Sequence, residues 1–398
     1  MRAAACLILG IALTLPCSGK AQDSELAGSV AAESRIFPNA PSFASQKDRP
    51  ISPSAVLQPE VRVRWNDGAD HVTFAPFLRL DLDDAERTHA DIRELNWLHR
   101  GDDWVLRVGI GKVFWGVSES RHLVDIVNQT DLVEDIDQES KLGEPMVHLD
   151  LTRSWGNLGL FVLPGFRERV FSATDARLSG GVKIGDADFE SGACRAHLDV
   201  AARYSATIGG LDFGLAHFHG TSRESRLLPR GGPGLLKLTP FYDQIDQSSL
   251  DLQYTTGPWL LKLEAIRRSG HGDPFFAMVG GFEYTLNGIL DTPADLGFLA
   301  EYLYDGRGDG SPPTPFDDDL FLGVRLVLND VADTTLLVGG VIDRNSNASL
   351  LSLELGHRLG EHWRLELEGK AFIGAPRDDP LHGIRQDDHL QVRLARFF

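Results

Sequence analysis

The chain has 398 residues, with 57 acidic against 39 basic side chains and a formal charge of -18 at pH 7. That length suits one large β domain or two ordinary domains. A slightly negative mean hydropathy excludes a helical membrane protein, and basic residues scattered through an acidic chain argue against nucleic-acid binding.

The chain opens with a basic Arg2, an apolar run AAACLILGIALTL at 3–15, and SGKAQD at 18–23. This order predicts a secretory signal over residues 1–21, ending at Ala21. The run is too short to be a good spanning helix. Pro16 before Cys17 disfavours a lipoprotein signal. Cleavage would remove Arg2 and Lys20 and no acidic residue, taking the charge from -18 to -20. It would also remove Cys6 and Cys17, leaving Cys194 without a partner for a disulfide or a cysteine metal site. Residues 22–55 hold Pro38, Pro41, Pro50 and Pro53 among Ser, Ala and Asn, and read as a flexible periplasmic leader.

From residue 56 a period of two takes over. Val61, Val63 and Trp65 oppose Glu60, Arg62 and Arg64; Val72, Phe74, Leu78 and Leu80 oppose His71, Thr73, Arg79 and Asp81. Trp104, Leu106 and Val108 alternate with Arg107 and Gly109, and Leu149 and Leu151 with His148 and Asp150. Farther along, Trp259, Leu261 and Leu263 face away from Lys262, Glu264 and Arg268, and Leu322, Val324 and Leu326 from Gly323 and Arg325. Leu353 and Leu355 oppose Glu354 and Arg358, while HWRLELEGKAF (362–372) sets Trp363, Leu365 and Leu367 against Arg364, Glu366, Glu368 and Lys370. The end, HLQVRLARFF, repeats the pattern with Leu390, Val392 and Leu394 against Gln391 and Arg393.

The connections fall into two sets. NDGAD (66–70), RGDD (100–103), SWGN (154–157), IGG (208–210), TTGP (255–258), NDVAD (329–333) and LGEH (359–362) carry hairpin turn chemistry. Residues 163–195, 220–246, 304–317 and 374–388 are long and rich in Gly, Pro, Asp and Arg. Short turns on one rim and long loops on the other describe an outer-membrane barrel, residues 56–398. About 17 candidate strands can be counted, whereas such barrels generally have an even number. The expectation is an all-β, closed antiparallel transmembrane barrel of about 16 strands, within a range of 16 to 18. The odd strand would arise at 113–145, at 170–195, or in the leader before Val56.

Alternation alone does not separate a barrel from a soluble sandwich, because each has one apolar face per strand. The export signal and the repeated hairpins favour the barrel, since closure removes sheet edges without covering helices. Trp65, Trp97, Trp104, Trp155, Trp259 and Trp363 all lie beside short turns, as an interfacial girdle would place them. Phe398 on an alternating last strand resembles the insertion signal read by the barrel-assembly machinery.

The least generic stretch is LRVGIGKVFWGVSESRHLVDIVNQTDLVEDI (106–136). It resembles an uncharacterised outer-membrane β-barrel family (DUF1302-like, porin-like) whose strand ends in Trp-Gly before an Asp-x-Val-Asn-Pro-x-Asp-Leu segment. Trp115, Gly116, Asp125, Val127, Asn128, Asp131 and Leu132 match; Gln129 replaces the Pro, and Ser118-Glu119-Ser120 stands where an Asp-Gly is usual. The resemblance implies a divergent member and a barrel, and it implies no particular substrate.

Asp125, Asn128 and Asp131 suit a loop fixed by hydrogen bonds to backbone N–H groups. With Trp115 and Gly116 they are the candidate loop-organising or constriction residues. Arg62, Arg64, Arg107, Lys262, Glu264, Arg325, Glu354, Arg364, Glu366, Glu368, Lys370 and Arg393 are the candidate lumen lining, of mixed sign.

Other chemistry carries less. His217 and His219 share a strand face but are only two ligands, so no metal is expected, nor any cofactor. Ser118, Ser120, His122 and Asp125 are the residues an outer-membrane hydrolase would use, if they converge. MVGGFEY (278–284) lacks the Gly-Lys-Ser/Thr ending of a phosphate loop. The resulting expectation is a porin-like channel in the cell outer membrane, not an enzyme, passing small solutes passively through a lumen narrowed by a loop near 113–145. Its partners would be outer-membrane lipids and lipopolysaccharide, periplasmic chaperones and the assembly machinery, with no nucleic acid. The alternatives are a noncatalytic structural or assembly barrel, and the hydrolase.

Overall fold

The computed structural model describes residues 23–231, 236–346 and 348–398; the expected signal over residues 1–21 lies outside the described residues. Its strands, in chain order, are β1 (Asp23–Ile36), β2 (Ile51–Trp65), β3 (Asp70–Asp81), β4 (His89–Arg100), β5 (Trp104–Gly111), β6 (Glu144–Arg153), β7 (Gly156–Leu163), β8 (Lys183–Ile184), β9 (Asp188–Phe189), β10 (Asp199–Ile208) and β11 (Leu211–Thr221). They continue with β12 (Arg226–Arg230), β13 (Lys237–Tyr242), β14 (Gln244–Thr256), β15 (Trp259–Gly270), β16 (Gly272–Leu286), β17 (Asp295–Asp305), β18 (Asp318–Val327), β19 (Thr335–Asp343), β20 (Ser349–Leu359), β21 (Trp363–Ile373) and β22 (His389–Phe397). β8, β9, β12 and β13 make a small sheet within the long connections. The other 18 form one antiparallel sheet. Because β1 pairs with both β2 and β22, that sheet closes on itself and has no edge.

The barrel has 18 strands, at the upper end of the expected range of 16 to 18. One expectation needs correcting: residues 22–55 are not a flexible leader. β1 and the start of β2 occupy most of that stretch. The physical reason is side-chain size: outward positions of β1 include Gly28, Ala32 and Ser34, so its apolar alternation is faint. Its inward positions Ser29, Ala31, Glu33 and Arg35 are nonetheless buried. Gly28 has φ +155°, and a Cβ there would stand 2.6 Å from the Gln58 carbonyl oxygen and 2.7 Å from Pro59 Cα. Only glycine fits this crossing, where Gly28 and Phe398 also exchange backbone hydrogen bonds of 3.1 and 3.0 Å.

The two rims differ as the turn chemistry requires. One is built from tight connections, with positive φ at Asn66, Asp67, Gly209, Gly257, Asn329 and Gly360. A further connection at 287–294, absent from the tight turns read in the sequence, lies on the same rim. The opposite rim carries the connections at 37–50, 112–143, 164–198, 222–243, 306–317 and 374–388.

The alternation resolves cleanly into an outer and an inner face. Leu80, Leu160, Leu215, Leu261, Leu322 and Leu351 are exposed on the outside, with Trp155, Trp259 and Trp363 exposed beside the short turns. In HWRLELEGKAF the charged set is the inner one: Arg393 pairs with Glu366, and Lys370 is buried against Asp135. No helix among the described residues is long and apolar enough to cross a membrane, which has no bearing on strands.

The interior is not uniformly wet. Residues 112–143 leave the long-loop rim and fold into the barrel, burying Trp115, Leu123, Val124, Ile126 and Val127 against Phe161, Phe218, Ile266, Val279, Leu299 and Phe321 of the wall. The inner face of the arc from β6 to β19 therefore carries an apolar cluster shared with the segment, interspersed with charged residues. Each such apolar side chain contributes about 1.5–3 kcal/mol when fully buried, so this packing holds the segment against one side of the lumen.

Candidate functional site

The inward segment is organised by its own polar residues. Asn128 accepts the Val113 N–H at 2.9 Å and donates to the carbonyls of Gly111 (2.9 Å) and Leu142 (2.8 Å), stapling together the two ends of the excursion. Asp125 accepts the Trp115 N–H at 3.3 Å and pairs with Lys141 at 3.2 Å. Burial raises the Asp125 carboxyl above its ordinary value, against the pull of Lys141. Asp131 is held by Arg93 at 2.5 Å, a side-chain partner rather than the backbone N–H expected. Trp115 meets the Phe161 ring edge to face at 5.5 Å. At Gly116 (φ +149°) a Cβ would lie 2.9 Å from His122 Nδ1 and 3.1 Å from Glu264 Oε1. No side chain fits there.

Carboxylates on β15 and β17 fasten the first half of the segment. Glu264 accepts the N–H groups of Val117 (2.7 Å), Ser118 (2.9 Å) and Val124 (3.1 Å) and the Ser118 hydroxyl (2.6 Å). Glu301 accepts from the Glu119 and Ser120 N–H groups and the Ser120 hydroxyl, at 2.8, 2.8 and 2.6 Å. Cations fasten the second half: Arg79 and Arg93 reach Glu134 and Asp131, and Lys370 lies 2.5 Å from Asp135 and 3.0 Å from Asp137. Sequence reasoning did not find Glu301, because a lone inward glutamate carries no local signal of what it will hold.

Of the candidate lining residues, Glu264, Lys262 and Lys370 serve as anchors of the segment. Arg325 pairs with Glu119 at 2.6 Å yet still borders open space. With Glu354, Arg364, Glu366, Glu368 and Arg393 it lines a cavity of about 650 Å³ that runs towards the short-turn rim. Arg62 pairs with Glu60, Arg64 with Glu25 near the short-turn rim, and Arg107 donates to the Lys112 carbonyl. A second cavity of about 60 Å³ lies on the long-loop side, bordered by Arg121, Arg169, Arg223, Arg268 and Phe316. Asp137 and Glu139 border both cavities. His122, which borders the smaller cavity, stands with Nε2 2.9 Å from Glu139, so their contact adjoins the lining that the two spaces share. Despite burial, the carboxylates of Glu139 and Glu264 push the His122 imidazole up to about 10, and His122 in turn holds Glu139 below its ordinary value.

The hydrolase constellation does not assemble. The Ser118 and Ser120 hydroxyls donate to Glu264 and Glu301 on the wall rather than to His122. Each serine hydroxyl is thus bonded to a wall carboxylate, not to the histidine of the expected triad.

No family model matches the chain, and no curated protein matches it either. Among solved structures it is similar to OccK11 (OpdR) of Pseudomonas aeruginosa, with a TM-score of 0.54 and 12% identity over 95% of this chain and 96% of that one. Wzi of Escherichia coli, titled a carbohydrate-binding β-barrel involved in group 1 capsule assembly, gives a TM-score of 0.52 and 8% identity over 92% and 83%. OmpT of Vibrio cholerae gives 0.47 and 10% over 95% and 100%. At these identities the likeness shows the fold alone: a closed antiparallel barrel.

Proposed function

We propose that the protein is an outer-membrane channel in which small solutes move passively through a lumen constricted by residues 112–143. The apolar outer face and aromatic rim would sit in the bilayer, with the short turns in the periplasm and the long loops outside. Lipids, lipopolysaccharide and the assembly machinery would be its partners, and passage needs no covalent catalysis. Membership of the Trp-Gly barrel family belongs to the same reading. The observation that carries it is the pair of cavities that share Asp137 and Glu139 as lining, and we read the adjoining His122–Glu139 contact as their junction.

The lining supplies a change of field along the path. Six carboxylates and three guanidiniums border the larger space, whereas five fixed cations and four carboxylates border the smaller one. A solute crossing the junction passes from an acid-rich to a base-rich wall, which selects by charge distribution more than by net charge.

Single-channel conductance in planar bilayers tests this, with wild-type protein and a deletion of 118–134. Discrete openings that enlarge on deletion are expected. Silence from folded protein in both forms would sink the channel reading. The apolar packing of the segment inside the barrel would then favour the second reading, a noncatalytic structural or assembly barrel, as Wzi is involved in capsule assembly.

A further inference from the structure

We propose a divalent-cation site formed by His89, Asp131 and Glu134, where the first residue of β4 meets the inward segment. His89 Nε2 lies 3.9 Å from Asp131 Oδ2 and 3.8 Å from Glu134 Oε1, and the three atoms lie within 4.8 Å of one another. Ligands at zinc bond lengths of about 2.0–2.2 Å stand roughly 3.4 Å apart around a tetrahedral ion. Closing that difference takes only small side-chain adjustments.

Three further features point to a ligand. The His89 Nδ1 lies 2.9 Å from the Arg87 carbonyl oxygen. A backbone carbonyl can only accept, so Nδ1 carries a proton, and in the neutral imidazole the Nε2 lone pair faces the two acids. Neither His89 Nε2 nor Glu134 Oε1 has a hydrogen-bond partner, although Glu134 is only 8% exposed. An unpaired acceptor at that depth is costly. Finally, the surroundings fix the donors: Phe77 stacks on the His89 ring at 5.2 Å, Arg93 donates to the Asp131 ligand oxygen Oδ2 itself at 2.5 Å, leaving that oxygen's second lone pair, and Arg79 holds the other Glu134 oxygen at 2.6 Å.

One imidazole and two carboxylates suit a first-row divalent ion such as Zn²⁺, with a remaining position for water. Glu134, Phe77 and Arg93 also border a cavity of about 410 Å³, which gives the ion a path in. A second acidic group, Asp135, Asp137 and Glu368, contrasts with this one because the Lys370 ammonium already fills it, at 2.5, 3.0 and 2.7 Å. At His89 a cation touches one of the three, since Arg93 donates to Asp131 Oδ2, while His89 Nε2 and Glu134 Oε1 are without such a partner. A bound ion would tie the 131–134 stretch to the barrel wall, whether or not solute passes.

The test is calorimetric titration of Zn²⁺ into the folded full chain after chelator treatment. One saturable site per chain is expected, weakened by more than about 100-fold in both His89→Ala and Glu134→Gln. Glu134→Gln keeps an acceptor for Arg79, and heat-modifiable gel migration reports that each variant is folded. The double variant His217→Ala, His219→Ala, which removes an exposed pair beside Asp246 on the outer face, should bind as wild type. Absence of saturable binding, binding that survives both site variants, or binding lost with His217 and His219 would overturn the proposal.

Discussion

The two halves of the inward segment are held by opposite chemistry. Residues 117–124 are gripped mainly through their backbone, with five N–H groups and two serine hydroxyls shared between Glu264 and Glu301. Residues 131–137 are gripped mainly through their side chains, by Arg79, Arg93 and Lys370, with Arg35 and Arg87 adding bonds to the Glu134 and Val133 carbonyls. A backbone grip is indifferent to the identity of most gripped residues, whereas a side-chain grip specifies each of them. Two wall carboxylates therefore fix the course of the first half, and the acids of the second half fix their own register.

Removing the backbone grip should have the largest effect. Glu264→Ala with Glu301→Ala orphans all seven donors, at about 1–3 kcal/mol for each one that stays buried. A large fall in melting temperature and a wider, noisier conductance are expected; an unchanged conductance would show that the apolar packing alone holds the segment. Breaking the side-chain grip is milder. Arg79→Met leaves Glu33 and Glu134 buried without that partner, a loss on the scale of about 3–5 kcal/mol for a broken buried pair. The neighbouring Arg87 still reaches Glu33, so stability should fall with little change in conductance, which urea unfolding and bilayer recording separate.

The smallest effect is a pH response at the junction. The folded value of His122 is raised to about 10, so its bond to Glu139 is fully present below the imidazole's ordinary value and is lost as pH rises through about 10. Glu139 is depressed, so its share is present above the ordinary carboxylate value and fades as pH falls through the depressed one. Conductance should be lowest between these limits and rise on the alkaline side. His122→Ala should flatten the alkaline rise; a rise that persists in this variant would place the constriction elsewhere.

Much of the barrel was legible because its physics is local. A two-residue period and turns such as Asn66–Gly68 act over a few residues, so both faces and most of the short-turn rim could be read directly. β1 was not, since Gly28, Ala32 and Ser34 put little apolar signal on its outer face. The Trp115-to-Asp131 stretch could be read as a folded-in loop from its Asx residues, and Asn128 does what such a residue suggests. Its partners could not be read: Ser118 meets Glu264 across 146 residues, and Ser120 meets Glu301 across 181. For the same reason the apolar cluster was missed, because Phe161 and Leu299 look like ordinary inward positions until the segment packs on them.

The closure at β1 and β22 sets an order of events. β1 is paired with β2 from Asp23 to Ile36 but with β22 only from Ser29 to Ile36, with Phe398 reaching Gly28 beyond that. The ring is thus sealed by the shorter of its first strand's two ladders, and its two sides come from opposite ends of the chain. Every other hairpin can zip with a neighbour already in place, whereas this seam waits until the whole circuit has been laid down. It is the natural last step of assembly.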